Sequence, residues 1–269
     1  MQITSAMKMV SAAKLKKAQD AITAMRPYAD KLTELLQNLS ASMDEDNGSS
    51  YSNQREVKKV LVVVITSNRG LCGAFNTNII KQSVYLLHGT YGDKHLDFFT
   101  IGKKAKDLLK KRHQVVADYS GVYEDLNFEA VAAIAESLME LYSNGSYDRI
   151  VLVYNKFRNA ATQQVMTEQF LPIAPAPGET RPQADYIFEP GKKEIVEQLI
   201  PKSLKTQLYK AIRDSFASEH GARMTAMHKA TDNATELRDQ LKLTYNKARQ
   251  AAITNEILEI VGGAEALNK

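Results

Sequence analysis

Residues 202–269 read KSLKTQLYKAIRDSFASEHGARMTAMHKATDNATELRDQLKLTYNKARQAAITNEILEIVGGAEALNK and decide the fold. They contain no proline and only three glycines, Gly221, Gly262 and Gly263. The sequence therefore predicts one helix from Ser203 to Val261, which would be roughly 90 Å long because each helical residue rises about 1.5 Å. A domain of ordinary size cannot bury such a rod, so most of it must lie against another long helix or another protein.

An apolar seam with heptad spacing runs along this helix. Its members are Met227, Ala230, Ala234, Leu237, Leu241, Thr244, Ala248, Ala251, Asn255 and Leu258. The many small residues let a partner helix approach closely. The sequence offers a partner of comparable length only in residues 3–43, so an intramolecular antiparallel coiled coil is the economical solution.

The seam of that first segment consists of Ala18, Ile22, Met25, Ala29, Leu32, Leu36 and Leu39. Nearer the start, Ile3, Met7 and Val10 hold the same spacing, with a change of phase before Leu15. We expect Pro27 to kink this helix without ending it, because the apolar pattern resumes in phase. A seam this short also fits a helix that packs on a globular core.

Strand and helix signals alternate between the two helical segments, after a polar linker at residues 44–58. The predicted strands are Val60–Thr66, Leu96–Ile101, Arg149–Tyr154 and, at an edge, Gln163–Phe170; the predicted helices are Phe75–Leu87, Lys103–Lys111 and Phe128–Tyr142. This alternation indicates a mostly parallel sheet. The predicted fold is therefore α/β, with an antiparallel coiled coil of N- and C-terminal helices (residues 1–43 and 192–269) and a central Rossmann-like α/β domain (residues 59–189).

Composition restricts the kind of protein. The 269 residues include one cysteine, which rules out an internal disulfide and a multi-cysteine zinc site. The longest strongly apolar run, Val60–Ile65, is too short to span a bilayer. We therefore expect a soluble protein, or one attached to a membrane only through partners.

The net charge of +4 is less informative than its placement. The first 27 residues set Lys8, Lys14, Lys16, Lys17 and Arg26 against the single acid Asp20. Such a helix either binds an anionic partner or presents a solvated face. Aromatic residues do not interleave with the basic ones, so nucleic acid is disfavoured.

Motifs for catalysis are weak. Ser67–Asn76 follows a strand but matches neither glycine-rich phosphate motif, so a glycine-permitted turn is favoured over a nucleotide-binding loop. Cys72 is expected to be a small buried packing residue, and the five histidines show no spacing typical of a metal or base cluster. We predict no catalytic, cofactor-binding or metal-binding residues.

Four segments resemble the signatures of the γ subunits of F-type ATP synthases. They are Ile3–Leu15 (ITSAMKMVSAAKL), Thr66–Asn76 (TSNRGLCGAFN), Ser218–Met227 (SEHGARMTAM) and Tyr245–Glu265 (YNKARQAAITNEILEIVGGAE). The likeness spans nearly the whole chain in the right order. It is loose around Pro172 to Pro190. In the family, further residues usually precede the first motif. We therefore expect either that the start is truncated or misassigned, or that the far end of the long helix has no partner helix.

The resemblance implies a rotor axle in the central stalk, with no catalytic group or cofactor of its own. ATP would be made and hydrolysed on the β subunits of a surrounding α/β hexamer, and the foot of the axle would meet the ε subunit and the membrane c-ring. The chain lacks the cysteine-bearing insertion of the chloroplast form, which favours a bacterial protein at the cytoplasmic side of the inner (plasma) membrane, held there peripherally.

The resemblance also implies which residues touch the β subunits. Arg249, Gln250 and Thr254 match residues that hydrogen-bond a loop of one β subunit. Lys8, Lys14 and Arg223 lie in segments that pass acidic levers of the β subunits. Two alternatives stay open: a free-standing coiled-coil scaffold with an α/β module, and an α/β enzyme that uses Ser67–Asn76 as its ligand loop.

Overall fold

The computed structural model describes residues 2–41, 51, 53–173 and 192–267, and their side chains within 2–35, 51, 53–173 and 198–264. Long helices at both ends enclose a sheet domain. The helices are α1 (Gln2–Ala41), α2 (Phe75–His88), α3 (Lys103–Leu109), α4 (Phe128–Ser143) and α5 (Lys192–Leu267). The strands are β1 (Lys59–Ile65), β2 (His95–Ile101), β3 (Val115–Asp118), β4 (Arg149–Phe157) and β5 (Gln163–Leu171).

The five strands form one sheet in the order β3-β2-β1-β4-β5. The first four are parallel, and β5 runs antiparallel to β4 at the edge. In the centre, Val62 pairs with Phe98 on one side and with Val151 on the other. All the predicted strands and helices of this domain are confirmed, whereas β3 and the 3-10 turn at Ser120–Tyr123 were not predicted.

Both faces of β1 are covered, which explains its nearly continuous run of β-branched residues. Val60, Val62 and Val64 pack beneath α2 and α3. Leu61, Val63 and Ile65 point to the other face and pack in one apolar cluster with α4 and residues 200–212 of α5. This part of the long helix therefore belongs to the core of the sheet domain and is not part of a free rod.

The helices α1 and α5 pack antiparallel, as three cross-links in reversed order show. Going along α1, Thr4 bonds Thr231, Arg26 bonds Asp214 and Asp30 bonds Lys210. On α1 the buried positions are Ser11, Leu15, Ala18, Ile22, Ala29 and Leu32. The predicted seam is confirmed from Ala18 to Leu32; the side chains of Leu36 and Leu39 lie outside those described.

The start of α1 differs from its predicted seam. Ile3 is 76% exposed and Val10 is 57% exposed, so they do not line the helix contact. The Oγ1 of Thr231 donates to Thr4 at 2.8 Å, and the buried Ser11 lies one turn before Leu15. The true seam keeps one phase from Ser11 onward, and an apolar pattern missed it because small polar residues occupy its first positions.

Neither proline ends its helix. The helix α1 continues through Pro27, as expected. The helix α5 continues through Pro201 and begins at Lys192, before the predicted start at Ser203. The division of the chain around residues 43, 59 and 189 stays a prediction, because residues 42–50 and 174–191 lie outside the described ones.

Candidate partner interface on the long helix

The long helix crosses the carboxyl edge of the sheet at the junction of β1 and β4. Ser218 Oγ donates to the carbonyl of Asn155 at 3.1 Å, and Ala222 packs into the apolar cluster that contains Cys72. In sheets of this order, ligands bind in the crevice outside the strand ends where the order reverses, which here lies between β1 and β4. The turns of α5 around residue 220 occupy that place.

The loop after β1 folds around its own polar groups. The Asn76 side chain accepts from the backbone N–H of Ser67 at 3.0 Å and donates to Ser67 Oγ at 2.8 Å. Cys72 is buried within the loop, and burial raises the pKa of its thiol. A raised thiol pKa lowers the thiolate fraction and so the nucleophilicity, which fits a packing residue.

Arg223 holds this loop against the long helix. One guanidinium nitrogen donates to the carbonyls of Arg69 at 3.2 Å and Gly70 at 3.3 Å, while the other pairs with Glu219 at 2.6 Å. Burial raises the pKa of Glu219, and the charges of Arg223 and Lys14 oppose that shift. The structure therefore gives Arg223 an internal role, and its predicted contact with a β subunit stays a prediction.

The neighbouring His220 is buried with an unusual lack of partners. Within the described part of the chain neither ring nitrogen has a hydrogen-bond partner, and the ring packs edge-on against Phe216 at 4.6 Å between centroids. Burial, with the positive charges of Arg223 and Lys14, lowers the pKa of His220 to about 4. The imidazole is therefore neutral at physiological pH and serves as a packing group.

An ion pair between the half-buried Arg26 and the fully buried Asp214 joins three elements, and sequence reasoning missed it. Arg26 Nη2 donates to Asp214 Oδ1 at 2.6 Å and to the carbonyl of Phe157 at 2.8 Å. The same Asp214 oxygen accepts from the backbone N–H of Phe157 at 3.2 Å. We call these three residues the clamp. Its only sequence signal is a carboxylate at a position of α5 that helical spacing turns toward α1.

The two lysines predicted as partner contacts, Lys8 and Lys14, lie at different positions along α1. Lys14 is exposed beside the Glu219–Arg223 pair, since its charge acts on Glu219 and His220. Lys8 is half-buried, nearly two turns further toward the N-terminus. Lys14 and Arg223 thus both act on the charge of Glu219, whereas Lys8 lies further along α1.

The far end of α5 is exposed over residues 236–264, a length of about 40 Å. We call this segment the tip. Its exposed large apolar side chains are Leu237, Leu241, Leu243, Tyr245, Ile253, Ile257, Leu258, Ile260 and Val261. The apolar seam predicted for this part of the helix is therefore present but uncovered by the other described residues.

Apolar residues lie on all sides of the tip, not on one stripe. Helical spacing places Leu237, Leu241 and Leu258 on one face, Leu243, Ile257 and Val261 on a second, and Ile253 and Ile260 on a third. Gln250 and Thr254 share the second face, while Arg249 shares the third. All three polar residues are exposed, and Thr254 Oγ1 donates to the carbonyl of Gln250 at 2.9 Å.

Metal-ligand clusters and membrane-spanning helices are both absent from the described residues. Among the residues that the structure describes, no cluster of three or more His, Cys, Asp or Glu side chains could hold a metal ion. No helix in those same ranges is both long and apolar enough to cross a membrane.

Comparison with known proteins decides the family. The sequence profile of the ATP synthase family matches residues 1–267. The ATP synthase gamma chain of Flavobacterium johnsoniae is 71% identical over 269 residues, covering 100% of this chain and 94% of that protein. The chain belongs to the ATP synthase gamma chain family. The gamma chain of Cytophaga hutchinsonii is more distant, at 52% identity over 99% of this chain and 94% of that one.

Solved structures agree on the fold. The central stalk and c-ring structure of the Tetrahymena thermophila mitochondrial ATP synthase contains a chain with a TM-score of 0.63 and 24% identity, covering 85% of this chain and 99% of that one. A chain of the Euglena gracilis mitochondrial enzyme, in a structure of OSCP, F1 and the c-ring, gives 0.60 and 21%, covering 98% and 95%. The predicted fold class, a sheet domain flanked by paired terminal helices of the gamma chain type, is confirmed.

Proposed function

We propose that this gamma chain is the rotor of the central stalk and couples ion flow through a membrane c-ring to ATP synthesis or hydrolysis on surrounding α and β subunits. It supplies torque and no catalytic group. Its partners are the α/β hexamer around the tip, and the ε subunit and c-ring at the sheet domain. Its place is the cytoplasmic side of a bacterial inner (plasma) membrane, where partners hold it peripherally.

The exposed tip carries this proposal. A helix with apolar residues all round is ordinarily a buried helix, because each apolar face left in water costs free energy. A partner on one flank would cover one face and leave the others wet. A sleeve that surrounds the helix covers every face, and a sleeve is what a hexamer around an axle provides.

The contacts predicted for the β subunits fit that geometry. Arg249 and Gln250 are consecutive residues, so their side chains leave the helix about 100° apart. Together with Thr254 they offer polar groups to more than one side of a surrounding sleeve. Lys14 and Lys8 add positive charge lower on the rod, where acidic levers would gain charge-assisted contacts.

The junction with the sheet domain supports the non-catalytic role. The crevice where such a sheet binds ligands is taken up by α5 itself, through the bonds of Ser218 and Arg223 and the packing of Ala222. An axle gains from this arrangement, because a helix bonded to the sheet turns with it. The same bonds would obstruct a nucleotide at this edge.

The decisive experiment removes the apolar surface of the tip. Ile257→Ser should sharply reduce recovery of nucleotide-binding α and β subunits with the tagged full chain, because one face of the sleeve contact becomes polar. Leu108→Ser is the matched control, since Leu108 on α3 is 51% exposed and Ile257 is 54% exposed. Equal recovery with both variants, or ligand turnover by the chain alone, would contradict the rotor proposal.

A further inference from the structure

The clamp is the point where the two long helices and the sheet meet through charged groups. Arg26 comes from α1, Asp214 from α5 and Phe157 from the carboxyl end of β4. One carboxylate oxygen receives both the guanidinium at 2.6 Å and the strand N–H at 3.2 Å. The guanidinium in turn reaches the strand carbonyl at 2.8 Å. Three elements therefore share one closed set of bonds.

Stability does not explain this pair. The Asp214 side chain is fully buried, and burial raises the pKa of its carboxyl although Arg26 opposes the shift. Asp214 Oδ2 and Arg26 Nε are buried without a hydrogen-bond partner among the described residues. The Arg26 side chain is 31% exposed, but its partner is a fully buried carboxylate, and ion pairs with buried charges are often matched or exceeded in stability by apolar side chains of similar volume.

The ion pair constrains the relative orientation of the helices, whereas the apolar seam does not. Apolar contacts such as Ile22 on α1 tolerate small rotations of a helix about its axis, since their attraction is non-directional. Charge-assisted hydrogen bonds depend on angle and distance, and they weaken steeply when either changes. With acceptors on α5 and β4, Arg26 is sensitive to any rotation of one element against the others.

We infer that Arg26 and Asp214 are the positioning pair that fixes the rotation of α5 about its axis relative to α1 and the sheet. Torque can then pass between the paired helices and the sheet domain without one element turning against the other. The inference rests on the proposed rotor function. It assigns the fixed rotation to one ion pair and not to the whole helix contact. The pair acts by holding other elements and touches no reacting group.

A neighbouring pair supplies a matched control. Lys210 and Asp30 join the same two helices at 2.6 Å, one turn away on each, but Asp30 is exposed and neither side chain bonds a described residue of the sheet. The test compares Arg26→Met/Asp214→Leu with Lys210→Met/Asp30→Leu. Each is examined in the assembled complex in membrane vesicles, by the protons pumped per ATP hydrolysed, and as full chain, by the denaturant midpoint of unfolding.

We expect the clamp variant to keep ATP hydrolysis while the pumping ratio falls several-fold. Its unfolding midpoint should fall only modestly, because the buried backbone N–H of Phe157 loses its acceptor. The control variant should keep all three. A clamp variant that pumps as the unmodified complex does would overturn the inference. A variant whose pumping falls only in proportion to its stability would overturn it as well, because a merely structural role predicts that result.

If the clamp variant does not assemble, Arg26→Lys carries the test, with Lys210→Arg as its control. Lysine keeps the charge and removes the planar guanidinium, so the pumping ratio should fall for Arg26→Lys alone; equal ratios overturn the inference. Failure of the rotor proposal itself looks different. In that case a complex assembled without this chain would pump as well as the complete complex.

Discussion

The backbone of Ala160 lies against the face of α5 at Gly221. A Cβ atom on residue 221 would stand 3.2 Å from the Cα of Ala160 and 3.3 Å from its carbonyl oxygen. That oxygen also accepts bonds from Thr225 at 3.1 Å and Gln163 at 3.2 Å, so it is held in place. The glycine therefore allows the turn between β4 and β5 to pack closely on the long helix.

Side chains at residue 221 should destabilise the chain according to their size. Gly221→Ala gains up to about 1 kcal/mol of helix propensity, which offsets much of its clash, so its effect should be small. Gly221→Val adds a Cβ atom and two methyl groups against fixed backbone and should lower the free energy of unfolding by about 1–3 kcal/mol. Denaturant unfolding of the full chain measures both.

The control for this prediction is Gly262→Ala in the tip. A Cβ atom there meets no atom within 4 Å. Gly262→Ala should therefore be neutral or slightly stabilising. A Gly221→Val variant as stable as the unmodified chain would show that the turn at Ala160 yields.

His220 should make the chain less stable in acid. Its pKa is about 4 in the folded chain, below its ordinary value of 6.5, so the unfolded state binds the extra proton between those values. The contribution is present in full above pH 6.5 and is lost as the pH falls toward 4. At pH 5 the loss should be about 2 kcal/mol.

His220→Leu isolates this effect from that of the buried carboxylates. Unfolding of both chains is measured at pH 7.5 and pH 5. The unmodified chain should lose about 2 kcal/mol more than the variant between the two. If both chains lose the same free energy of unfolding, the pKa of His220 is not lowered on folding, and the imidazole must have a hydrogen-bond acceptor in the folded chain.

The contact between α1 and α5 predicts opposite outcomes for two apolar residues. Ile22 is fully buried, so Ile22→Ala should lower the free energy of unfolding by about 2–5 kcal/mol. Val10 lies outside the contact, so Val10→Ala should change it by about 0.5 kcal/mol or less. Comparable losses for both would place Val10 in the seam after all.

Arg249 and Gln250 should matter to the complex and not to the chain. Both are exposed, so Arg249→Ala/Gln250→Ala should leave unfolding of the isolated chain unchanged within about 0.5 kcal/mol. Assembly with α and β subunits, or coupling of hydrolysis to pumping in membranes, should weaken. Gln240→Ala/Lys242→Ala, two exposed tip residues outside the matching triplet, is the control. Unimpaired hydrolysis and pumping in the first variant would refute the contact assignment.

The sheet domain could be predicted where burial leaves a strong pattern. The run of valines in β1 and the amphipathic α4 are plain in the sequence because each repeats one kind of residue at one period. The strand β3 has only four residues, Val115–Asp118, and its edge position requires no apolar run. A pattern of that length cannot be told from a loop.

The polar parts of the helix contact were beyond a search for apolar seams. Ser11 is buried because it is small, and Asp214 because Arg26 and the end of β4 satisfy it. The partners of Asp214 are far away in sequence, and the Ser11 hydroxyl only bonds the carbonyl of Met7 one turn back, as any helical serine can, so neither position stands out along the chain. The exposed tip was the reverse case: its apolar pattern was visible, but the sequence alone did not show that every side would lack cover from the described residues.

The change in support along α5 has a mechanical consequence. Up to about residue 235 the helix is backed by α1 and the sheet, whereas along residues 236–264 no other described element packs against it. Two springs in series carry the same load, and the softer one takes most of the deformation. In the proposed rotor, where the tip is held and the sheet domain is turned, elastic twist would therefore collect in the segment that the described residues leave unsupported, while the supported part moves as a stiff body.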